Sequence, residues 1–227
     1  MNNLNFLVIS TTLKNIFVVL KDEKNNIYTR TLTENKSGNY LANAIKEVAE
    51  ESKTNIKNID EFGIDIGPGS FTGIRVAIST LQGLLIDNPE KEVYTFFSSD
   101  VLYRSAVNNN PDLKKNKLAV LKRARENAAY ASIYENGKRI FGPQMVFEEF
   151  LRDSLNNCIL INEEAEYFKN KYKLENEVFY SNIDEKSLIE EVIKGKRVKV
   201  KNLEPLYLQK PLAVENLERK KNKIEQG

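Results

Sequence analysis

Short apolar runs separated by polar clusters mark the first part of the chain. Phe6 to Ile9 is unbroken apolar, Ile16 to Leu20 is rich in β-branched residues, and Ile27 to Leu32 alternates weakly. Such runs predict strands. Asp22-Glu23-Lys24-Asn25-Asn26 between the second and third is a polar hairpin-type turn, so the three form an antiparallel meander. The period then changes. Leu41, Ala44, Ile45, Val48 and Ala49 fall on one stripe of a helix, with Ser37 or Asn39 as its cap. Phe62 to Ile66 predicts a strand, Phe71 to Leu85 a helix and Val93 to Phe97 another strand. A short helix over Val101 to Val107 follows, capped by Ser98 or Ser99.

The same order returns further on. Leu118 to Leu121, Ala129 to Tyr134 and Arg139 to Phe141 predict strands. Phe147 to Leu155 predicts a helix with Phe147, Phe150, Leu151 and Leu155 on one face. Cys158 to Ile161 is a strand, Glu163 to Tyr172 a helix, Val178 to Tyr180 a strand and Lys186 to Ile193 a helix. Both halves thus read as strand-strand-strand-helix-strand-helix. That is an α/β plan of two lobes with a cleft between them. The polar stretch Asn108 to Lys117 is the expected linker. The expected organisation is an N-terminal lobe over 1–107, a linker over 108–117, a C-terminal lobe over 118–196 and a basic tail over 197–227.

The strongest local signal is Gly67-Pro68-Gly69-Ser70-Phe71-Thr72-Gly73-Ile74-Arg75, between a strand and a helix. Gly67 and Gly69 permit backbone angles that other residues avoid, and Pro68 stiffens the turn. Ser70 is a natural N-cap. Exposed N–H groups at such a terminus favour an anion; the plainer reading of Gly67, Pro68, Gly69, Ser70 and Gly73 is a tight structural turn. It is neither a P-loop nor a GxGxxG fingerprint. The helix that follows carries Ile74, Val76, Ala77, Ile78, Leu81, Leu84 and Leu85 all around its axis. A helix apolar on several sides is buried on several sides, within its own lobe or under a partner. The small residues Gly73, Ala77, Ser79 and Gly83 would allow a second helix to approach closely.

Composition removes several chemistries. The 227 residues include no histidine, no tryptophan and one cysteine, Cys158. His-based metal sites, the Ser-His-Asp triad and the Cys-His dyad are excluded, and a metallopeptidase with them. One cysteine allows no internal disulfide and fits a cytoplasmic protein. With 34 Lys+Arg against 32 Asp+Glu, the chain is not a basic nucleic-acid domain. The charge is uneven: from Arg197 to Gly227 there are eight bases and four acids, leaving 26 and 28 in residues 1–196. No apolar run is long enough for a membrane span, and Met1 to Ile9 has no basic stretch of the kind that opens a secretory leader. Cys158 reads as a small buried hydrophobe. Glu163-Glu164 and Glu190-Glu191 point apart on their helices and make no joint site.

The Gly67 to Arg75 turn, with its Ala77-Ile78-Ser79-Thr80-Leu81-Gln82-Gly83-Leu84 helix, resembles the hallmark of the bacterial TsaB (YeaZ) family. Glu204-Pro205-Leu206-Tyr207-Leu208-Gln209-Lys210 is similar to that family's closing segment, and Lys122-Arg123-Ala124-Arg125 to its D-A-R or R-A-R stretch. The resemblance implies an actin-like (ASKHA, RNase H-like) fold of two related lobes, each on a βββαβα plan. It implies a non-catalytic role in making threonylcarbamoyladenosine (t6A) in tRNA, as a heterodimer with the paralogue TsaD and with the ATPase TsaE in the larger assembly. ATP would be used by those partners and no cofactor bound by this chain; tRNA contact would be indirect or through the tail. The expected interface is Leu41, Ile45, Val48, Gly73, Ala77, Thr80, Leu81 and Leu84, which would pair with itself in a homodimer when TsaD is absent.

Departures from the family pattern bear on the cleft. Many members end the first strand with aspartate; here it ends Val8-Ile9-Ser10-Thr11-Thr12. The histidine that often opens the first lobe's helix is missing. Arg123 stands where relatives carry an acid, and serine is a poor Mg²⁺ ligand. No metal is therefore expected. Arg123 and Arg125 remain as candidate anion-binding residues or solvated surface charges. The rival reading is an ASKHA-type ATPase or small-molecule kinase with a degenerate nucleotide cleft.

Overall fold

The computed structural model describes residues 4–208 except 14, 34–36, 126 and 182, and leaves the side chains of 33, 37–39 and 163 undescribed. Gln209, Lys210 and the rest of the tail lie outside the described residues, as do the side chains of the expected caps Ser37 and Asn39.

The first sheet is built from β1 (Phe6–Ser10), β2 (Asn15–Lys21), β3 (Ile27–Thr33), β4 (Glu61–Asp65) and β5 (Glu92–Phe96). α1 (Ser37–Ser52) precedes β4, α2 (Phe71–Leu84) follows it, and α3 (Ser98–Asn109) follows β5. The second sheet holds β6 (Lys117–Arg123), β7 (Ala128–Glu135), β8 (Lys138–Phe147), β9 (Cys158–Ile161) and β10 (Val178–Phe179). Its helices are α4 (Glu148–Ser154), α5 (Asn162–Tyr172) and α6 (Glu185–Val192). In space the sheets run β3-β2-β1-β4-β5 and β8-β7-β6-β9-β10. The pairings also match: a three-strand antiparallel meander, then two parallel strands. The order of elements therefore reports a true structural duplication, and the topology is the actin-like, RNase H-like one.

The domain boundaries differ from the expected ones. α3 extends to Asn109, and a 3-10 turn over Pro111–Lys115 buries Leu113, so most of 108–117 is folded. The chain then returns to the first sheet: β11 (Lys196–Lys199) pairs antiparallel with β5, so the expected 196/197 boundary falls inside a strand. Only Val198 in β11 is apolar, and a backbone ladder on an open sheet edge needs no apolar pattern.

Alternation along the strands sorts side chains into three layers of core. Leu7 and Ile9 join α1 and α2 on the outer face of the first sheet, where the stripe Leu41, Ala44, Ile45, Val48 and Ala49 is buried. Phe6 and Val8 point the other way, into a core shared with Leu118 and Val120 of β6 and with α3 and α6. Ala119 and Leu121 face α4 and α5. Central strands covered on both faces explain the unbroken apolar runs in the sequence. Gly63 lets α6 seat directly on the first sheet, because a Cβ there would run into the Val192 side chain.

Candidate functional site

The Gly67–Gly73 turn packs as a structural element. Gly67 adopts φ +118°, which glycine alone tolerates readily. Gly69 is needed for a different reason than expected. Its φ is not positive, but an added Cβ would collide with the Thr12 side chain. Ser70 caps α2 as expected, its Oγ accepting from the Gly73 N–H at 3.3 Å. The Pro68 carbonyl accepts from Ser98 Oγ at 3.1 Å. The closing segment returns here: the Leu206 N–H donates to the Ile66 carbonyl at 2.9 Å, and the Tyr207 ring lies 5.2 Å from that of Phe71.

Beneath the turn is a charged pair that the sequence reading did not single out. Asp65, the last residue of β4, is wholly buried. Its carboxylate accepts from Ser10 Oγ at 2.7 Å, Thr12 Oγ1 at 2.5 Å and the Gly67 N–H at 2.9 Å. Lys122 comes across from β6 in the second sheet. It is only 3% exposed, and its ammonium donates to the Thr12 carbonyl and to Ser98 Oγ at 3.3 Å. Burial pushes the Asp65 carboxyl up, against the Lys122 charge and the three donors, which pull it down. The signal available in the sequence was a single acid near the end of one apolar strand and the first of two bases, Lys122 and Arg123, closing another.

Further interlobe bonds start from the first turn of α3. Ser98 and Ser99, expected as caps, instead reach other elements; Phe97 is the N-cap and makes no side-chain bond. Ser132 Oγ of β7 donates to Ser99 Oγ at 3.1 Å. Asp100 accepts from the Tyr134 hydroxyl at 2.7 Å and from Arg139 through both oxygens, at 2.8 and 2.7 Å. Burial raises the Asp100 carboxyl against these partners. Tyr103 stacks on Tyr134 at 4.2 Å.

Between the sheets lies a cleft of about 850 Å³, lined among others by Thr12, Asn15, Ser70, Lys122, Asn162 and Glu164. Arg123 reaches its rim, but its guanidinium lies 4.1 Å over the Tyr167 ring and its N–H donates to Glu164 at 2.6 Å. Arg125 lies 5.7 Å over Phe147 and does not line the cleft. The two arginines do not converge on a common point. A divalent cation of the actin-like type does not fit this donor set. Asp65 is already engaged through both oxygens, Asp100 is held by Tyr134 and Arg139, Glu164 is bonded to the Arg123 backbone, and an ammonium sits among the oxygens next to Asp65. Among the described residues no group of three or more His, Cys, Asp or Glu is placed to hold a metal.

The expected interface is corrected by burial. Leu41, Ile45, Val48, Gly73, Ala77 and Leu81 are buried in the chain's own core, because α1 and α2 use those positions to cover the first sheet. Of the eight residues only Thr80 and Leu84 reach the surface, half-buried. The outward face of α2 is instead Thr72, Arg75, Val76, Ser79, Thr80 and Gly83, with open space above Gly83. Cys158 is buried and its thiol is pushed up by desolvation, as suits a core residue.

The comparisons with known proteins agree with this geometry. A protein from Pseudomonas aeruginosa described as similar to peptidase YeaZ superposes with TM-score 0.74 at 17% identity, over 91% of this chain and 100% of that one. YeaZ from the same organism gives 0.72 at 17%, over 90% and 100%. The family model described as TsaD, tRNA N6-adenosine threonylcarbamoyltransferase, matches residues 31–180. With most of its length matched by that model and both sheets in the YeaZ arrangement, the chain belongs to the TsaD family and has the YeaZ fold.

Proposed function

We propose that this chain is a non-catalytic subunit required for t6A modification of tRNA, acting as a heterodimer with the TsaD transferase, with TsaE joining the assembly. The observation that carries the reading is the interlobe junction. The hydroxyls of Ser10 and Thr12 hold Asp65, with the Lys122 charge beside it, and Asp100 is taken by Tyr134 and Arg139, so among the described residues no group of three or more carboxylates is placed to hold a metal with a nucleotide. The nucleotide chemistry then belongs to the partners, and this chain supplies a surface. The outer face of α2, small and weakly polar apart from Arg75, is the natural place for a partner helix, and two copies would meet there when TsaD is absent. The protein would work in the cytoplasm, where tRNA is modified.

Depletion of this chain should abolish t6A in tRNA hydrolysates measured by mass spectrometry, and the full chain should restore it. Tagged chain should co-elute with TsaD. Unchanged t6A after depletion would sink the reading. Magnesium-dependent ATP turnover by the isolated chain would favour the kinase alternative.

A further inference from the structure

We propose that Lys122 is the resident cation of the interlobe junction: its ammonium occupies the place a divalent metal ion would take between the two sheets, and joins them without one. The oxygens around it come from separate segments. The Thr12 carbonyl, which accepts from it, belongs to the β1–β2 loop, and Ser98 Oγ, which also accepts, to the start of α3; the Asp65 carboxylate at the end of β4 lies near enough to feel its charge. Lys122 itself arrives from β6 of the other sheet. These are hard oxygen donors, the type that Mg²⁺ and Ca²⁺ select, but an ammonium needs only three acceptors where Mg²⁺ demands six at fixed distance.

Lysine rarely accepts such burial. Its four-carbon stem lets the charge reach water wherever water is near. Here the cleft is adjacent and Lys122 lines it, yet the residue stays 3% exposed. Burying a lone ammonium or a lone carboxylate costs several kcal/mol, so each group makes the other tolerable. The inference concerns this chain's own stability and does not rest on the proposed partnership.

The test uses the full chain and follows its melting temperature with EDTA, Mg²⁺ or Mn²⁺. The wild type should melt at one temperature under all three conditions. Lys122→Ala should melt lower by roughly 10 °C, and millimolar Mn²⁺ should restore part of that loss in a saturable way. Asp65→Asn added to Lys122→Ala should remove the rescue. Wild type stabilised by Mn²⁺ in an Asp65-dependent manner would overturn the proposal, and so would Lys122→Ala that folds but gains nothing from metal. Because Lys122→Ala can fail to fold, the wild-type ammonium is also read directly by ¹⁵N NMR. A slowly exchanging Lys122 ammonium signal is expected, and exchange at the rate of a surface lysine would overturn the assignment.

Discussion

Asp22 shows how one side chain sets a turn. Its Oδ1 accepts the N–H groups of Lys24 and Asn26 at 2.9 and 2.8 Å, and Oδ2 accepts Asn26 Nδ2 at 2.8 Å. Burial works to raise this carboxyl, but the Asn26 side chain and backbone, the Lys24 N–H and the Tyr28 hydroxyl together hold it below the ordinary range. The folded pKa is depressed, so the stabilisation is present above the unfolded value of ~3.9 and is lost as pH falls through the folded one. Asp22→Ala should cost about 1–2 kcal/mol at pH 7 by urea denaturation, and the gap to wild type should close in strong acid. A gap that persists there would mean the turn is held by something else. Gly69→Val should cost about 1–3 kcal/mol, because the new carbons meet Thr12. An unchanged melting temperature would show that the β1–β2 loop can retreat.

α2 presents two faces with opposite responses to charge. Ala77 is fully buried against the first sheet, so Ala77→Arg should unfold the chain. Ser79 and Gly83 point outward, and nothing lies within 4 Å of a Cβ built on Gly83. Gly83→Arg should therefore leave the circular dichroism melt intact, or raise it slightly as a helix glycine is removed. If the proposed partner helix docks there, the same variant should no longer co-elute with TsaD, and retained co-elution would place the interface elsewhere. β11 is held differently, by its ladder to β5 and by the Arg197 ion pairs with Glu61 at 3.0 Å and Glu92 at 3.4 Å. These lie near the surface, so Arg197→Ala should cost at most about 1 kcal/mol.

The molecule as a whole should unfold as one unit. Phe6 and Val8 of the first sheet, Leu118 and Val120 of the second, and Leu188 and Val192 of α6 share a single core. Neither sheet can lose its inner face alone without exposing the other's. Urea unfolding followed by circular dichroism and by tyrosine fluorescence should give coincident transitions, with no tryptophan to complicate the signal. Separated transitions would mean that the lobes are independent. The Asp100–Tyr134–Arg139 cluster belongs to the same junction. Tyr134→Phe removes the hydroxyl that bonds Asp100 but leaves Asp100 paired with Arg139, so it should cost about 1–2 kcal/mol, while Asp100→Ala strands both partners and should cost more.

The chain's own pattern determined the order of strands and helices, the α1 stripe, the Asp22 turn, the Ser70 cap and the doubling of the fold. Each of these is a local property: a period of two or 3.6, or a cap a few residues from its helix, is written in neighbouring positions. The resemblance carried by Gly67–Arg75 pointed to the right family on the same terms. Tertiary structure decided the rest. It brought Asp65 to Lys122, turned Ser98 and Ser99 from caps into interlobe contacts, and added polar β11 to the first sheet. It also used six of the eight expected interface residues for the chain's own core. These outcomes depend on which segments meet across the fold. An apolar position has the same sequence signature whether a sheet of its own chain or another protein covers it, and a charge closing a strand has the same signature whether it meets water or an opposite charge.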